Sequence, residues 1–224
     1  MTKLSHENGA LYGAMAGLFA LLAALLVPMV AGAESEGANR CPGAQRAVVF
    51  DIDETLTTSD TQNFIQLIFS SYDQKARPGA VELVNLYADQ GYKIFYLTAR
   101  PGNIRYLGLR QSPTRVTNDW LWHHGFPIGE GISKTTLAPT FVTGDTTVAY
   151  KAGALKFFQA QGWHFDYAYG NADTDIAAYQ AAGIPNDHTF IIGEHAGEAG
   201  STPVWTDGYG SHIEHVLPNV PPAC

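Results

Sequence analysis

Residues 48–60 read Val48-Val49-Phe50-Asp51-Ile52-Asp53-Glu54-Thr55-Leu56-Thr57-Thr58-Ser59-Asp60. An apolar run too short for a helix breaks into two aspartates one residue apart, and then into a turn rich in hydroxyls. With Ala47 in front, the run reads as a central strand. Two carboxylates at that spacing, at the end of a buried strand, repel each other and resist burial unless something positive holds them. A divalent cation is the simplest holder. Screened in this way, one carboxylate can attack phosphorus, while the other gives a proton to the leaving group and takes one from water.

The pattern of a strand ending in polar groups returns along the chain. Lys93-Ile94-Phe95-Tyr96-Leu97 stops at Thr98, Ala99, Arg100 and Pro101, and residues 164–169 stop at Gly170-Asn171. A fourth strand is expected over 188–192. Helices are expected over 64–72, from Pro78 to a stop at Gly91, around Trp120 to Trp122, over 150–161 and over 175–182. Residues 125–131 read as a turn, and the stretch from there to Val148 leans toward β-structure. Strands alternating with helices argue a three-layer α/β fold, a doubly wound parallel sheet with helices on both faces. Ligands in such sheets bind at the carboxyl ends of the strands. The Gly- and Pro-rich tail from Gly193 is expected to wrap the surface.

A parallel sheet would bring the polar ends to one place. The first strand supplies Asp51 and Asp53. The second supplies Thr98, whose hydroxyl and N–H suit a phosphoryl oxygen, with Arg100 as a further donor. The third supplies Asn171 and Asp175, four residues apart across a strand-to-helix turn, where both can face one metal. Lys151 opens a helix between them, where an ammonium could neutralise a nucleophilic aspartate and a phosphate together.

Asp51-Ile52-Asp53-Glu54-Thr55, Leu97-Thr98-Ala99-Arg100, Lys151 and Gly170-Asn171-Ala172-Asp173-Thr174-Asp175, in that order, resemble the motifs of the haloacid dehalogenase superfamily. The extended first motif, Leu155 after the lysine, and Ile176 and Tyr179 after Asp175 resemble the catalytic domain of lipin-type phosphatidate phosphatases. Related domains end some phosphatidylinositol-transfer proteins. The resemblance spans about residues 46–195 and is thin over 103–148. It implies a Mg²⁺-dependent phosphatase in which Asp51 becomes an aspartyl-phosphate and Asp53 is the general acid and base. It further implies that Thr98 and Lys151 hold the phosphoryl group, and that Asp51, the Asp53 carbonyl, Asn171 and Asp175 hold the metal. Glu54 departs from the pattern, because lipin-type domains usually carry glycine there.

The short stretch between the first two motifs leaves little or no room for a cap domain, and an open site suits a bulky or membrane-held substrate. Phosphatidic acid or a related lipid phosphate is the leading expectation. A broad acid phosphatase acting on small soluble phosphomonoesters would use the same residues. A non-catalytic lipid-sensing module is a third reading, and the intact Asp51 and Asp53 count against it.

The rest of the chain sets the context. Lys3 precedes an apolar stretch over residues 11–30, and Ala31-Gly32-Ala33 fits a signal-peptidase site. Residues 1–33 therefore read as a removable leader of an exported protein, with 34–224 as one domain. The apolar stretch is also close to the ~20 residues of a bilayer span, so an uncleaved anchor is the other reading. A net charge of −8 gives no basic balance for polyanions, which argues against a nucleic-acid partner. Two cysteines, Cys41 and Cys224, could join in an exported protein or stay apart. His123-His124 and the His212/His215 pair lack a convincing third ligand and read as structural, and Trp120, Trp122 and Phe126 read as core more than as a lipid-binding lip. Lys156 is the alternative ammonium, and Asp173 reads as a helix cap or a neighbour of the metal.

Overall fold

The computed structural model describes residues 45–58, 73–103, 112–205 and 207–223, all within one compact unit, Glu36–Cys224. The apolar run becomes strand β1 (Gln45–Phe50), in which Ala47, Val48, Val49 and Phe50 are all fully buried. A strand with no polar face must be covered on both sides, and this one is. Around it lie β2 (Lys93–Pro101), β3 (Ser133–Ala138), β4 (Trp163–Gly170), β5 (Thr189–Ile192) and β6 (Thr202–Val204). The order is β3-β2-β1-β4-β5-β6, with every neighbouring pair parallel.

The alternation of strand side chains divides the core in two. Val48, Phe50, Ile94, Tyr96 and Tyr169 pack under α1 (Ala80–Asp89), through Leu83, Val84 and Tyr87, and under α2 (Pro113–His123), through Trp120 and Leu121. Ala47, Val49, Phe95, Leu97 and Phe165 face the other way. They pack against Leu155 and Phe158 of α3 (Asp145–Gln159) and Tyr179 of α4 (Asp173–Ala181). This is the three-layer, doubly wound α/β sheet expected. Phe165 and Ala168 share a face only because the β1–β4 register shifts between Ala47 and Val48. The surplus residue, Asp166, is buried at this bulge, paired with Arg46 and with His164 Nδ1 at 2.6 Å.

Two expectations need correction. Helix α3 begins at Asp145, and Thr146-Thr147-Val148, read as β-leaning, are its first turn. Its buried stripe is Thr147, Lys151, Leu155 and Phe158, so half of the helical pattern is polar and an apolar count misses it. The tail does more than wrap the surface. It adds β6 and the short helix α5 (Gly210–His215), and places Tyr209, His212 and Leu217 in the core beside α1. The expected helix over 64–72, the leader, the apolar segment 11–30, and both Cys41 and Cys224 lie outside the described residues. Among the described residues no helix is long and apolar enough to cross a membrane.

His212 Nε2 lies 2.8 Å from the Tyr169 hydroxyl, which lies 2.8 Å from that of Tyr87. Burial lowers the His212 pKa to about 4, so the imidazole is neutral in the fold. Between pH 6.5 and 4 the unfolded chain takes up a proton that the folded one refuses, so the contribution of His212 to stability is lost as pH falls through that window. The slope of melting temperature against pH between 6.5 and 4.5 is expected to be less positive in His212→Gln. An unchanged slope would mean that His212 is not the group responsible.

Candidate active site

The carboxyl ends of β1, β2 and β4 meet beside the point where the strand order reverses, the place where such sheets leave a crevice. A cavity of about 370 Å³ opens there, lined by Asp51, Asp53, Arg100, Lys151, Asn171 and Asp175, among others. Asp51 N donates to Tyr169 O at 2.9 Å and carries the β1–β4 pairing one residue past the strand. The chain then turns sharply. Leu56 N and Thr57 N both donate to Ile52 O, at 2.9 and 3.0 Å. Arg77 braces the turn through the carbonyls of Thr55 (3.1 Å) and Glu54 (2.5 Å), and the Tyr209 hydroxyl from the tail adds a bond to Thr55 O at 3.2 Å. Thr55 Oγ1 is thereby turned back toward Asp51 Oδ2 (3.2 Å) and Asn171 Oδ1 (3.1 Å).

Lys151, one turn after Thr147 on the buried stripe of α3, donates to Asp51 Oδ1 at 2.6 Å and to Asp175 Oδ1 at 2.5 Å. The other Asp175 oxygen accepts from the N–H groups of Asn171 (3.1 Å) and Ala172 (3.2 Å) at the start of α4. A carboxylate on these orphan donors is favoured by the helix dipole. Gly170 makes this approach possible, since a Cβ there would sit 2.6 Å from the Asp175 Cβ.

Asp53 has a different environment. Arg100 grips it through Nε (3.0 and 2.9 Å) and Nη2 (2.7 Å), and Thr98 Oγ1 donates to it at 2.9 Å. Arg100 is in turn held by Gln74 Oε1 at 2.8 Å and Thr117 Oγ1 at 3.2 Å. The two aspartates therefore titrate in opposite directions. Burial, with Asp175 and Asp53 nearby, pushes the Asp51 carboxyl up to about 8 even though Lys151 pulls it down. Burial also pushes Asp53 up, but the Arg100 guanidinium and the Thr98 hydroxyl outweigh it and hold Asp53 below the usual carboxylate range. For Lys151, burial works against the charge, and Asp175 and Asp51 overcome it and raise its pKa.

A carboxyl raised in this way marks a site short of positive charge. Among the described residues no three His, Cys, Asp or Glu side chains cage a metal on their own. The donors that line the cavity together are the Asp51 and Asp175 carboxylates and the Asn171 carboxamide. A small set of carboxylates, completed by water, is what a small, strongly hydrated divalent cation takes. The residues present fit such an ion.

All seven residues expected at the site come together, and two hold posts other than those expected. Thr98 is fully buried, its hydroxyl donates to Asp53 and accepts from Arg100 N at 3.1 Å, and Ala99 replaces it in the cavity wall. Arg100 lines the cavity, but its guanidinium is committed to Asp53, Gln74 and Thr117. Lys156 is exposed, and Asp173 is exposed at the first position of α4. Trp120 and Phe126 are core, whereas Trp122 is 66% exposed. His124 pairs with Asp73 at 2.7 Å and His215 with the Ser211 carbonyl at 2.8 Å. Sequence reasoning missed Thr147 in the wall, Gln74 and Thr117 behind Arg100, and the reach of Glu54 to Asn171. Only Thr147 left a signal, its place four residues before Lys151.

Residues 48–193 match the family described as PITM 1-3, LNS2 domain. Protein retinal degeneration B of Drosophila melanogaster is 30% identical over 176 residues, which is 77% of this chain and 12% of that protein. Human membrane-associated phosphatidylinositol transfer protein 3 is 29% identical over 174 residues, 77% of this chain and 16% of that protein. The chain thus spans a small fraction of these relatives. A solved structure from Mesorhizobium loti described as a HAD-like phosphatase superposes with a TM-score of 0.54 at 13% identity, covering 79% of this chain and 86% of that one. At that identity the likeness establishes the fold, which is HAD-like.

Proposed function

Because this chain belongs to the LNS2 domain family of PITM 1-3 and carries a complete acidic site on a HAD-like fold, we propose that it is a phosphoric monoester hydrolase. The observation that carries this reading is the bridge of Lys151 between Asp51 and Asp175, at 2.6 and 2.5 Å, beside a polar cavity with Asp53 two residues on. An Asp51 oxygen attacks phosphorus, the bond to the ester oxygen breaks, and the departing oxygen takes a proton from Asp53. Water then attacks the phosphoryl group on Asp51 and gives a proton back to Asp53. Phosphate leaves and Asp51 is regenerated. Lys151 neutralises charge on Asp51 and on the transferred group throughout. Mg²⁺ on Asp51, Asn171, Asp175 and the Asp53 carbonyl would add the electrophilic stabilisation that phosphoryl transfer requires. The arrangement described, with Asp53 ionised on Arg100, suits the second step. For the first, Asp53 must carry a proton, and its carboxylate has to loosen from Arg100.

Phosphatidic acid or a related lipid phosphate is the substrate we favour. One of the named relatives is a membrane-associated phosphatidylinositol transfer protein, which supports a lipid substrate. Export, with removal of residues 1–33, belongs to the same proposal. Phosphate release should be measured on phosphatidic acid vesicles, on dispersed short-chain phosphatidic acid and on an aryl phosphate, each with Mg²⁺ and with chelator. Mg²⁺-dependent release from vesicles, lost with dispersed monomer, is expected. Equal release from all three would identify a broad phosphatase, and vesicle binding without release would identify a lipid-sensing module.

A further inference from the structure

Two described residues other than glycine have backbone in the left-handed region, Ala199 and Glu54, and Glu54 (φ 57) lies between Asp53 and Thr55. Glycine adopts that conformation freely, whereas a side chain with a Cβ does so under strain. The backbone bonds of the turn do not call for a glutamate. Glu54 N donates to Thr57 Oγ1 at 3.0 Å and Glu54 O accepts from Arg77, and a glycine would make both. What glycine could not supply is the side chain, whose Oε2 accepts from Asn171 Nδ2 at 3.3 Å. Asn171 is clamped from its other end by Thr55 Oγ1 on Oδ1, at 3.1 Å.

A carboxamide has two nearly identical faces, an acceptor oxygen and a donor NH₂, and only the oxygen can help hold a cation. A Thr55 hydroxyl can serve either face, since it both donates and accepts. A carboxylate can serve only the NH₂. The bond from Glu54 therefore decides which way the carboxamide lies. We propose that Glu54 is a positioning residue, kept at a strained turn because its side chain orients Asn171 with the oxygen toward Thr55 and Asp51 and so sets the affinity for the divalent cation. The inference rests on the reading of this site as one that binds Mg²⁺.

The test uses the full chain and its Glu54→Gly and Glu54→Gln variants, with melting temperature followed in chelator and then against MgCl₂ concentration, from which the Kd is obtained. In chelator, Glu54→Gly is expected to melt no lower than the parent, and up to about 2–4 °C higher, because glycine relieves the left-handed backbone. Its Kd for Mg²⁺ is expected to weaken by about tenfold or more, the usual effect of losing a residue that orients a ligand. Glu54→Gln can turn either its oxygen or its NH₂ to Asn171, so it no longer fixes the carboxamide and is expected to lose affinity as Glu54→Gly does. An unchanged Kd in Glu54→Gly would overturn the inference while the metal reading stands. A Kd in Glu54→Gln equal to that of the parent would overturn it too, since a side chain that fixes no orientation would then serve as well. A parent that binds no Mg²⁺ would overturn the metal reading, and the inference with it.

Discussion

Asp51→Asn is expected to release phosphate at no more than about a thousandth of the parent rate, in a protein that is still folded. The substitution is nearly isosteric. Asparagine Oδ1 can accept from Lys151 as Asp51 does at 2.6 Å, and the Thr55 hydroxyl can accept from the new NH₂. What is lost is the anionic oxygen that attacks phosphorus. Stability should move the other way. In the folded protein Asp51 titrates at about 8, against 3.8 as a free side chain, so the fold binds a proton that the unfolded chain releases across that range. Asp51 therefore makes a contribution to stability in chelator that declines as pH rises from about 4 to 8, opposed below pH 6.5 by that of His212, and the asparagine variant lacks this contribution. Melting curves at pH 8.5 in chelator should place the variant no lower than the parent. A variant that loses activity only because it unfolds would contradict this.

Lys151→Met is expected to lower the melting temperature in chelator by on the order of 10 °C and to cut activity by about a hundredfold or more. Lys151 is 3% exposed, and its ammonium is the direct partner of two buried carboxylates. Methionine fills much of the same volume but leaves Asp51 and Asp175 facing each other without their cation. Breaking a buried pair by removing one partner costs about 3–5 kcal/mol, and each kcal/mol moves a domain of this size by about 2–4 °C. The catalytic loss follows from removing a fixed charge from the transition state. Calorimetry in chelator and phosphate release with Mg²⁺ check the two parts separately. A drop of only a degree or two would mean that Asp51 and Asp175 are neutralised by some means other than Lys151.

The sheet was legible because its strands are buried on both faces, so Val48-Val49-Phe50 and Ile94-Phe95-Tyr96-Leu97 stand out as unbroken apolar runs that stop at aspartate or threonine. The same abrupt endings placed Asp51, Asp53, Asn171 and Asp175 around one cavity, which Lys151 reaches from α3. What stayed hidden had polar residues doing the work of apolar ones. The first turn of α3 buries Thr147 and Lys151, which an apolar pattern cannot register. The tail hid Tyr209 and His212 among glycines and prolines, although both reach the core and Tyr209 braces the Thr55 carbonyl. The commitment of Thr98 and Arg100 to Asp53 depends on side chains from four separate segments, and spacing along the chain carries no trace of such a contact. The left-handed turn at Glu54 was invisible for the opposite reason. A glycine would have announced it, and a glutamate does not.

The most direct test of the account is to trap the covalent intermediate. The full chain is mixed with phosphatidic acid vesicles and Mg²⁺, quenched in acid within the first turnovers and digested, and its peptides are weighed. One added phosphoryl group is expected on the peptide that contains Asp51, absent in Asp51→Asn. Phosphate release without any adduct at Asp51, or with the adduct on another residue, would contradict it.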